Sequence, residues 1–266
     1  MKYMLQTQPA LRLLEGALVE AMVDFYSRNQ AHFTPEQAPQ YVYSPRELTR
    51  WVCCVEEALK SMDDVQEDKF IRLWAHEALR VFQDRLMTFE EKMWCEQELK
   101  QVADVYFGTI TPQLDLEVIF KQPILFSTWL HGEGIYTSSD REHLHTYVSE
   151  LLVIFYEEQL GVPLVVFDEV LEHVLRIDQV LRRPQGHLLL VGESGVGKTV
   201  LTRFVAWMQG LSLFQIKANN KYTLEKFDED LRSVILRAGA EGEKVCFVFD
   251  ESNVLSTAFV ERMNAL

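Results

Sequence analysis

The stretch Gly192-Glu193-Ser194-Gly195-Val196-Gly197-Lys198-Thr199 decides the fold, because it matches the pattern G-x-x-x-x-G-K-[ST] in full. An apolar run at His187–Val191 predicts a strand directly before it, and an apolar stripe at helical spacing follows from Leu201 to Met208. Strand, glycine-rich loop and helix in this order are the context in which the motif binds phosphate. The alternative is a glycine-rich turn that binds nothing.

The chemistry expected of this loop is the binding of a nucleoside triphosphate. Its glycines allow backbone N–H groups to turn toward phosphate oxygens, and the helix N-terminus adds its positive end. Lys198 would reach the β- and γ-phosphates, and the Thr199 hydroxyl would bind Mg²⁺.

A second apolar run, Val245–Phe249, ends in the acidic pair Asp250 and Glu251. Such a strand places Asp250 at the carboxyl edge of a sheet, where open α/β sheets bind their ligands. Asp250 would hold the magnesium through a water molecule, and Glu251 would polarise an attacking water as a general base. The alternative is that both acids only cap the strand or the following helix. The adjacent acidic pair favours a hydrolysing NTPase over a small-molecule kinase or a GTPase.

The second half of the chain alternates predicted strands with predicted helices. Leu211–Ile216 is a third strand-length run, and an apolar stripe from Phe227 to Ala238 predicts a helix. This alternation implies βαβ units and a parallel sheet, so we expect an α/β P-loop domain. Ser139 and Glu142 form a capping-box pattern that predicts a helix start ahead of it.

The first half is predicted to be all helical. An apolar stripe from Leu14 to Phe25 has helical spacing, and Ser44-Pro45-Arg46-Glu47 combines an N-cap serine, a proline at the first helical position and a glutamate that closes a capping box. Turn residues gather between Gly108 and Asp140, which places the domain boundary there. The expected organisation is a helical domain at 1–110, a linker at 111–139 and a P-loop domain at 140–266.

Composition and charge narrow the class of protein. The formal net charge of −14 and the lack of a Lys/Arg cluster disfavour nucleic acid or an anionic membrane surface as partner. No apolar run approaches the ~20 residues that cross a bilayer. The four cysteines form no CxxC pair and the seven histidines are scattered, so a reducing cytosol is expected and a zinc or disulfide framework is not.

Arg46 occupies an unusual place for a cation. It lies in the first predicted turn of a helix, where its charge opposes the helix dipole. Either the site supplies an anion, or the guanidinium lies in water or pairs with Glu47 or another nearby acid.

Several stretches resemble the dynein heavy chain, and they fit the cytoplasmic type better than the axonemal ones. They lie in both halves of the chain and are long enough to make accidental similarity improbable. The resemblance is carried by residues 43–51 (YSPRELTRW), 74–80 (WAHEALR), 203–208 (RFVAWM), 227–232 (FDEDLR) and 250–255 (DESNVL).

The resemblance implies a fragment of a ring of AAA+ modules in a minus-end-directed microtubule motor that binds ATP and Mg²⁺. Residues from about 10 to 110 would be the helical lid of the third module, in which Arg46 matches the sensor-II arginine. Residues from about 140 to 266 would begin the fourth module, in which Val165 and Val166 lie beside the adenine. The implied partners are the rest of the ring, intermediate and light chains and microtubules, in the cytoplasm and on the cytoskeleton.

The resemblance also implies what these residues lack. In the AAA+ sheet a sensor-I strand lies between the strands that carry the two motifs, and no such strand follows Asp250 before Leu266. We therefore expect an incomplete parallel sheet, low stability of the isolated polypeptide, weak nucleotide binding and little activity. Two alternatives stay open: a free-standing AAA+ remodelling ATPase, and a regulatory nucleotide-binding module that does not hydrolyse ATP.

Overall fold

The structure, a computed structural model, describes residues 9–62, 65–111, 113–130, 134–158, 165–183, 186–216, 222–250, 253–254 and 256–265. The chain divides into two compact units, Met1–Leu144 and His145–Leu266. Within the described residues, no helix is both long enough and apolar enough to span a membrane.

The first unit is built from helices and one short antiparallel strand pair. A 3₁₀ turn at Pro9–Leu14 leads into the first helix, and a π-helical turn at Leu79–Gln83 continues the third. The elements are α1 (Glu15–His32), α2 (Pro45–Lys60), α3 (Glu67–Ala78), α4 (Phe89–Phe107), α5 (Leu116–Ile119), β1 (Phe126–Ser127) and β2 (Thr137–Ser138).

The start of α2 confirms the signals in the sequence. Ser44 is the N-cap, Pro45 follows it at the first position, and both halves of the capping box with Glu47 are formed. The Ser44 N–H donates to Glu47 Oε2 at 2.8 Å, and the Arg46 N–H donates to Ser44 Oγ at 3.3 Å. A second capping box, between Thr88 and Glu91, begins α4 without having been predicted.

Aromatic side chains fill the core of the first unit. Phe25 makes edge contacts with Trp51 and Phe82, at ring distances of 5.8 and 5.2 Å. The Trp51 indole N–H, fully buried, donates to the Trp74 carbonyl at 3.1 Å. Burial of rings of this size contributes a large share of the hydrophobic stabilisation of this unit.

Residues 111–139, expected to be a linker, take part in this core. Ile119, Ile124, Phe126 and Tyr136 are buried in it. The Arg72 guanidinium on α3 holds the segment by donating to several backbone carbonyls, among them Ile119 at 2.5 Å. The division between the units therefore comes at residue 144, after this segment.

The second unit contains a two-stranded parallel sheet. Strand β3 pairs with β4 in a register that runs from Ser212↔Val245 to Gln215↔Val248, and a helix connects them as the alternation of patterns predicted. The elements are α6 (Arg141–Glu158, which begins in the first unit), α7 (Asp168–Leu181), α8 (Lys198–Met208), β3 (Ser212–Gln215), α9 (Leu224–Gly239), β4 (Val245–Val248) and α10 (Thr257–Asn264).

Two local predictions for this half are wrong. Residues 187–191 form no strand in the described part of the chain, and Leu189 and Val191 are 84% and 87% exposed. An apolar run becomes a strand only beside a partner that accepts its backbone hydrogen bonds, and none of the described strands lies beside this one. At the start of α6 the cap is Asp140, whose Oδ2 accepts the N–H of Glu142 at 3.0 Å, and not Ser139.

Helix α8 is anchored at its far end by aromatic packing. The Trp207 indole N–H donates to Glu158 Oε2 at 2.7 Å, and Phe155 lies 5.5 Å from the rings of both Phe204 and Trp207. These contacts attach α8 to α6 and fix the helix that begins in the glycine-rich loop.

Replacement of Glu47 by Gln should make the first unit less stable near neutral pH. Although burial raises it, hydrogen bonds from Ser44 and Arg85 bring the pKa of Glu47 below its usual value. The charge then stabilises the fold above the unfolded-state pKa of about 4.3, and this contribution is lost as the pH falls through the folded-state pKa. We expect Glu47→Gln to cost about 0.5–1 kcal/mol at pH 7.

Urea unfolding of both proteins between pH 3 and pH 7 measures this effect. The difference between wild type and Glu47→Gln should shrink as the pH falls below about 4.3. Glu36→Gln removes an equivalent charge from an exposed side chain in the same unit and is the control. A Glu47→Gln effect of equal size at pH 3 and pH 7 would contradict the assignment.

Candidate nucleotide-binding site

The glycine-rich loop has the backbone that its sequence requires. Gly195 and Gly197 have φ angles of +86° and +88°, in the region that L side chains rarely adopt, and α8 begins directly after Gly197. A Cβ added at Gly192 would lie 3.4 Å from Val196 Cγ2. Residues 191–196 are exposed. The loop therefore presents an accessible helix N-terminus, whose N–H groups and dipole favour an anion.

Lys198 lies over this loop. Its Nζ donates to the carbonyl oxygens of Gly192 and Glu193, at 2.7 Å each. An ammonium group has three hydrogens to donate, so two hold the loop closed and one can serve a phosphate oxygen. Thr199 follows on the first turn of α8 and is half-buried.

Asp250 follows β4 at the carboxyl end of the parallel pair. Its Oδ2 accepts a hydrogen bond of 2.9 Å from Gln215 Nε2, at the equivalent end of β3. Gln215 Oε1 in turn accepts one of 2.6 Å from the Arg203 guanidinium on α8. Arg203 is five positions after Lys198, about 7.5 Å along a helix. The chain of bonds thus links the middle of α8 to the acid at the sheet edge.

Asn253 fixes the backbone on which Asp250 lies. This side chain is 2% exposed; its Oδ1 accepts the Asp250 N–H at 2.9 Å, and its Nδ2 donates to the Ile216 carbonyl at 2.8 Å. The Asn253 N–H donates to the Asp250 carbonyl at 2.9 Å. One buried amide therefore joins the ends of β3 and β4 just beyond their last paired residues.

The structure describes only part of the other site residues predicted from the sequence. Glu251 lies outside the described residues, and so does the first part of the segment that contains Val165 and Val166. Val165 is 76% exposed. The Val166 carbonyl oxygen lies 3.1 Å from His145 Nε2. Because a carbonyl oxygen only accepts hydrogen bonds, His145 Nε2 carries the hydrogen.

Arg46 is exposed in the first turn of α2. Glu47, one of the acids considered as its partner, is instead 3.2 Å from Arg85 and closes the capping box with Ser44. The sequence thus places Arg46 correctly on the helix, while its role stays a prediction.

The sequence did not single out Gln215, Asn253 or Arg203 as site residues. The available signals were weak: an amide at the end of a strand, and another three residues after the acid. Neither spacing says which groups the amides contact.

The donors are of the kind that Mg²⁺ prefers. The Thr199 hydroxyl and the Asp250 carboxylate carry hard oxygen atoms, which bind Mg²⁺ directly or through water. Mg²⁺ bound with a nucleotide takes only one or two ligands from the protein, and the rest come from phosphates and water. No cluster of three or more His, Cys, Asp or Glu side chains suited to a metal occurs among the residues that the structure describes.

A glycine-rich loop that opens a helix, with a lysine over it and an acid after a parallel strand, defines the P-loop class of nucleotide-binding proteins. Residues 1–92 match the family model described as the dynein heavy chain ATPase lid domain, and residues 162–266 match the P-loop-containing dynein motor region D4. The chain belongs to the dynein heavy chain family.

Individual relatives are similar in sequence to this chain along nearly its whole length. The cytoplasmic dynein heavy chain of Drosophila melanogaster is 53% identical over 99% of this chain, and that of Neurospora crassa is 53% identical over 98%. The Dictyostelium discoideum protein is 52% identical over 97%. This chain spans only about 6% of the length of the Drosophila and Neurospora proteins.

Replacement of Asn253 by Asp should destabilise the second unit by about 2–3 kcal/mol. The change keeps the acceptor for the Asp250 N–H, but it leaves the buried Ile216 carbonyl without its donor and buries a carboxylate. Denaturant unfolding measures the loss. Asn264→Asp makes the same substitution at an exposed position and should stay within about 0.5 kcal/mol. Equal effects of the two changes would exclude the proposed importance of the buried amide.

Proposed function

We propose that this chain is an ATP-binding part of a dynein heavy chain, the force-generating ATPase of a minus-end-directed microtubule motor. The observation that carries the proposal is the geometry of residues 192–199 at the start of α8, with Lys198 over the loop and Asp250 linked to α8 through Gln215. Because the chain spans about 6% of its relatives, motor activity is proposed for the longer protein in which it occurs.

The two halves would have different places in the ring. Residues 1–110 would be the all-α lid of one AAA+ module, and residues 140–266 the first part of the next module's large subdomain, with an incomplete parallel sheet. The family matches at 1–92 and 162–266 support this assignment. The β3–β4 pair is short, and residues 187–191 pair with none of the described strands. Both observations are consistent with a sheet whose central strand is supplied from elsewhere.

Each residue of the proposed phosphate and magnesium site has its own role in binding. The backbone of residues 192–197 binds the phosphates, and Lys198 donates to their outer oxygens. Thr199 and Asp250 would hold Mg²⁺, which when bound neutralises charge that develops on the phosphates.

Three further roles complete the proposal. Glu251 would accept a proton from the attacking water. Val165 and Val166 would pack beside the adenine, and Arg46 would act as the sensor-II arginine of the preceding module.

The proposed partners follow from the same assignment. They are the remainder of the heavy-chain ring, and intermediate chains, light chains and microtubules through other regions of the heavy chain. The proposed location is the cytoplasm, on the microtubule cytoskeleton.

Two variants separate binding from hydrolysis at this site. Lys198→Ala should weaken ATP binding by about 10- to 100-fold, because a hydrogen bond to a charged group contributes about 1.5–3 kcal/mol. Glu251→Gln should bind ATP like the wild type but hydrolyse it at least about 10²-fold more slowly, the range for loss of a general base.

Equilibrium binding of labelled ATP and single-turnover hydrolysis in the full-length protein make the two measurements. Lys226→Ala, at an exposed lysine on α9, is the charge-matched control and should change neither. If the Lys198 variant bound as much ATP as the wild type, the site would not be the proposed one. Equal hydrolysis rates in the Glu251 variant and the wild type would remove that residue from catalysis.

A further inference from the structure

Three polar side chains form a continuous path from α8 to the carboxyl edge of the sheet. Arg203 Nη2 lies 2.6 Å from Gln215 Oε1, and Gln215 Nε2 lies 2.9 Å from Asp250 Oδ2. The β3–β4 ladder at Gln215 is made by backbone groups, so strand pairing does not require this side chain. Its amide is therefore available for a role at the site.

Charges at both ends fix the orientation of the Gln215 amide. A carboxylate only accepts hydrogen bonds and a guanidinium only donates them. If the amide were flipped, its oxygen would face Asp250 and its NH₂ would face Arg203, and both bonds would be lost. Gln215 can therefore occupy this position in one orientation only, and that orientation directs a donor at one oxygen of Asp250.

We propose that Gln215 is a positioning residue that orients the Asp250 carboxylate for Mg²⁺ and couples it, through Arg203, to the helix that begins in the phosphate loop. The inference rests on the proposed function of residues 192–199 and deepens it. Gln215 and Arg203 are not among the residues proposed to bind phosphate or metal, and the inference assigns them an effect on the Mg²⁺ dependence of nucleotide binding.

The path would also hold the glycine-rich loop and Asp250 at a fixed distance from each other. Asn253 fixes the backbone of Asp250, and Gln215 fixes its carboxylate, so the acid is restrained at two points. Arg203 is exposed and lies on the same helix as Lys198 and Thr199. A shift of α8 when phosphate binds would thus move the anchor of Gln215 together with the phosphate ligands.

Gln215→Met tests the role of the amide, because methionine has a similar shape but neither donates to Asp250 nor accepts from Arg203. The measurement is Lys198-dependent binding of labelled ATP, taken as the signal of each full-length protein minus that of the same protein carrying Lys198→Ala. We expect the Mg²⁺ concentration for half-maximal binding to rise about tenfold, the lower range for loss of a hydrogen-bond partner of a metal-ligating group. Binding measured in EDTA should change by less than about twofold.

Arg203→Met removes only the anchor, at an exposed position where folding is insensitive to the change. It should raise the Mg²⁺ midpoint in the same direction, and the double variant should be no worse than Gln215→Met alone, since both act on one path. Ser212→Ala is the control. It removes a side-chain hydrogen bond to Glu243 at the opposite end of β3 and should leave the midpoint unchanged.

The outcomes separate this inference from the function on which it rests. An unchanged Mg²⁺ midpoint in Gln215→Met, or an effect of equal size in EDTA, would overturn the positioning role while the ATP site stood. Additive effects of Arg203→Met and Gln215→Met would remove the coupling to α8. If the wild type showed no Lys198-dependent ATP binding, the proposed function and this inference would both fail.

Discussion

The pairing of β3 with β4, together with the hydrogen bonds of Asn253 beyond it, is the constraint on which the second unit depends. The parallel ladder covers four residue pairs, and a sheet of this size has little stability of its own. The buried Asn253 amide extends it by one further connection, from the Ile216 carbonyl to the Asp250 N–H. A change at this one side chain therefore affects both the strand ends and the acid placed there.

The proposed anion site and the proposed cation site are formed by two different parts of the structure. The loop around Gly195 and Gly197 depends on backbone conformation and on the start of α8, so it is encoded by adjacent residues. The acidic side depends on contacts between residues far apart in sequence, Gln215 and Asp250 being separated by 35 positions. The first can form locally, whereas the second exists only when β3, β4 and α8 are in place together.

This difference explains what the sequence could and could not predict. Capping at Ser44, the helices after it and the phosphate loop were predictable because they follow from short-range rules. Ser139 and Asp140 are both good caps, and Ser139 is not used because its hydroxyl bonds to Ser127 and to the Thr137 carbonyl. Residues 187–191 have the composition of a strand, but composition does not supply the neighbour that pairing requires.

The two bonds from Lys198 to the carbonyls of Gly192 and Glu193 have a consequence for the proposed nucleotide binding. With these dipoles as partners, the half-buried ammonium group does not depend on a phosphate for two of its three hydrogen bonds. A triphosphate bound there would take the third hydrogen of this ammonium group, and the backbone amides of the loop would make the remaining phosphate contacts. The loop would therefore keep its shape through a proposed cycle of nucleotide binding and release.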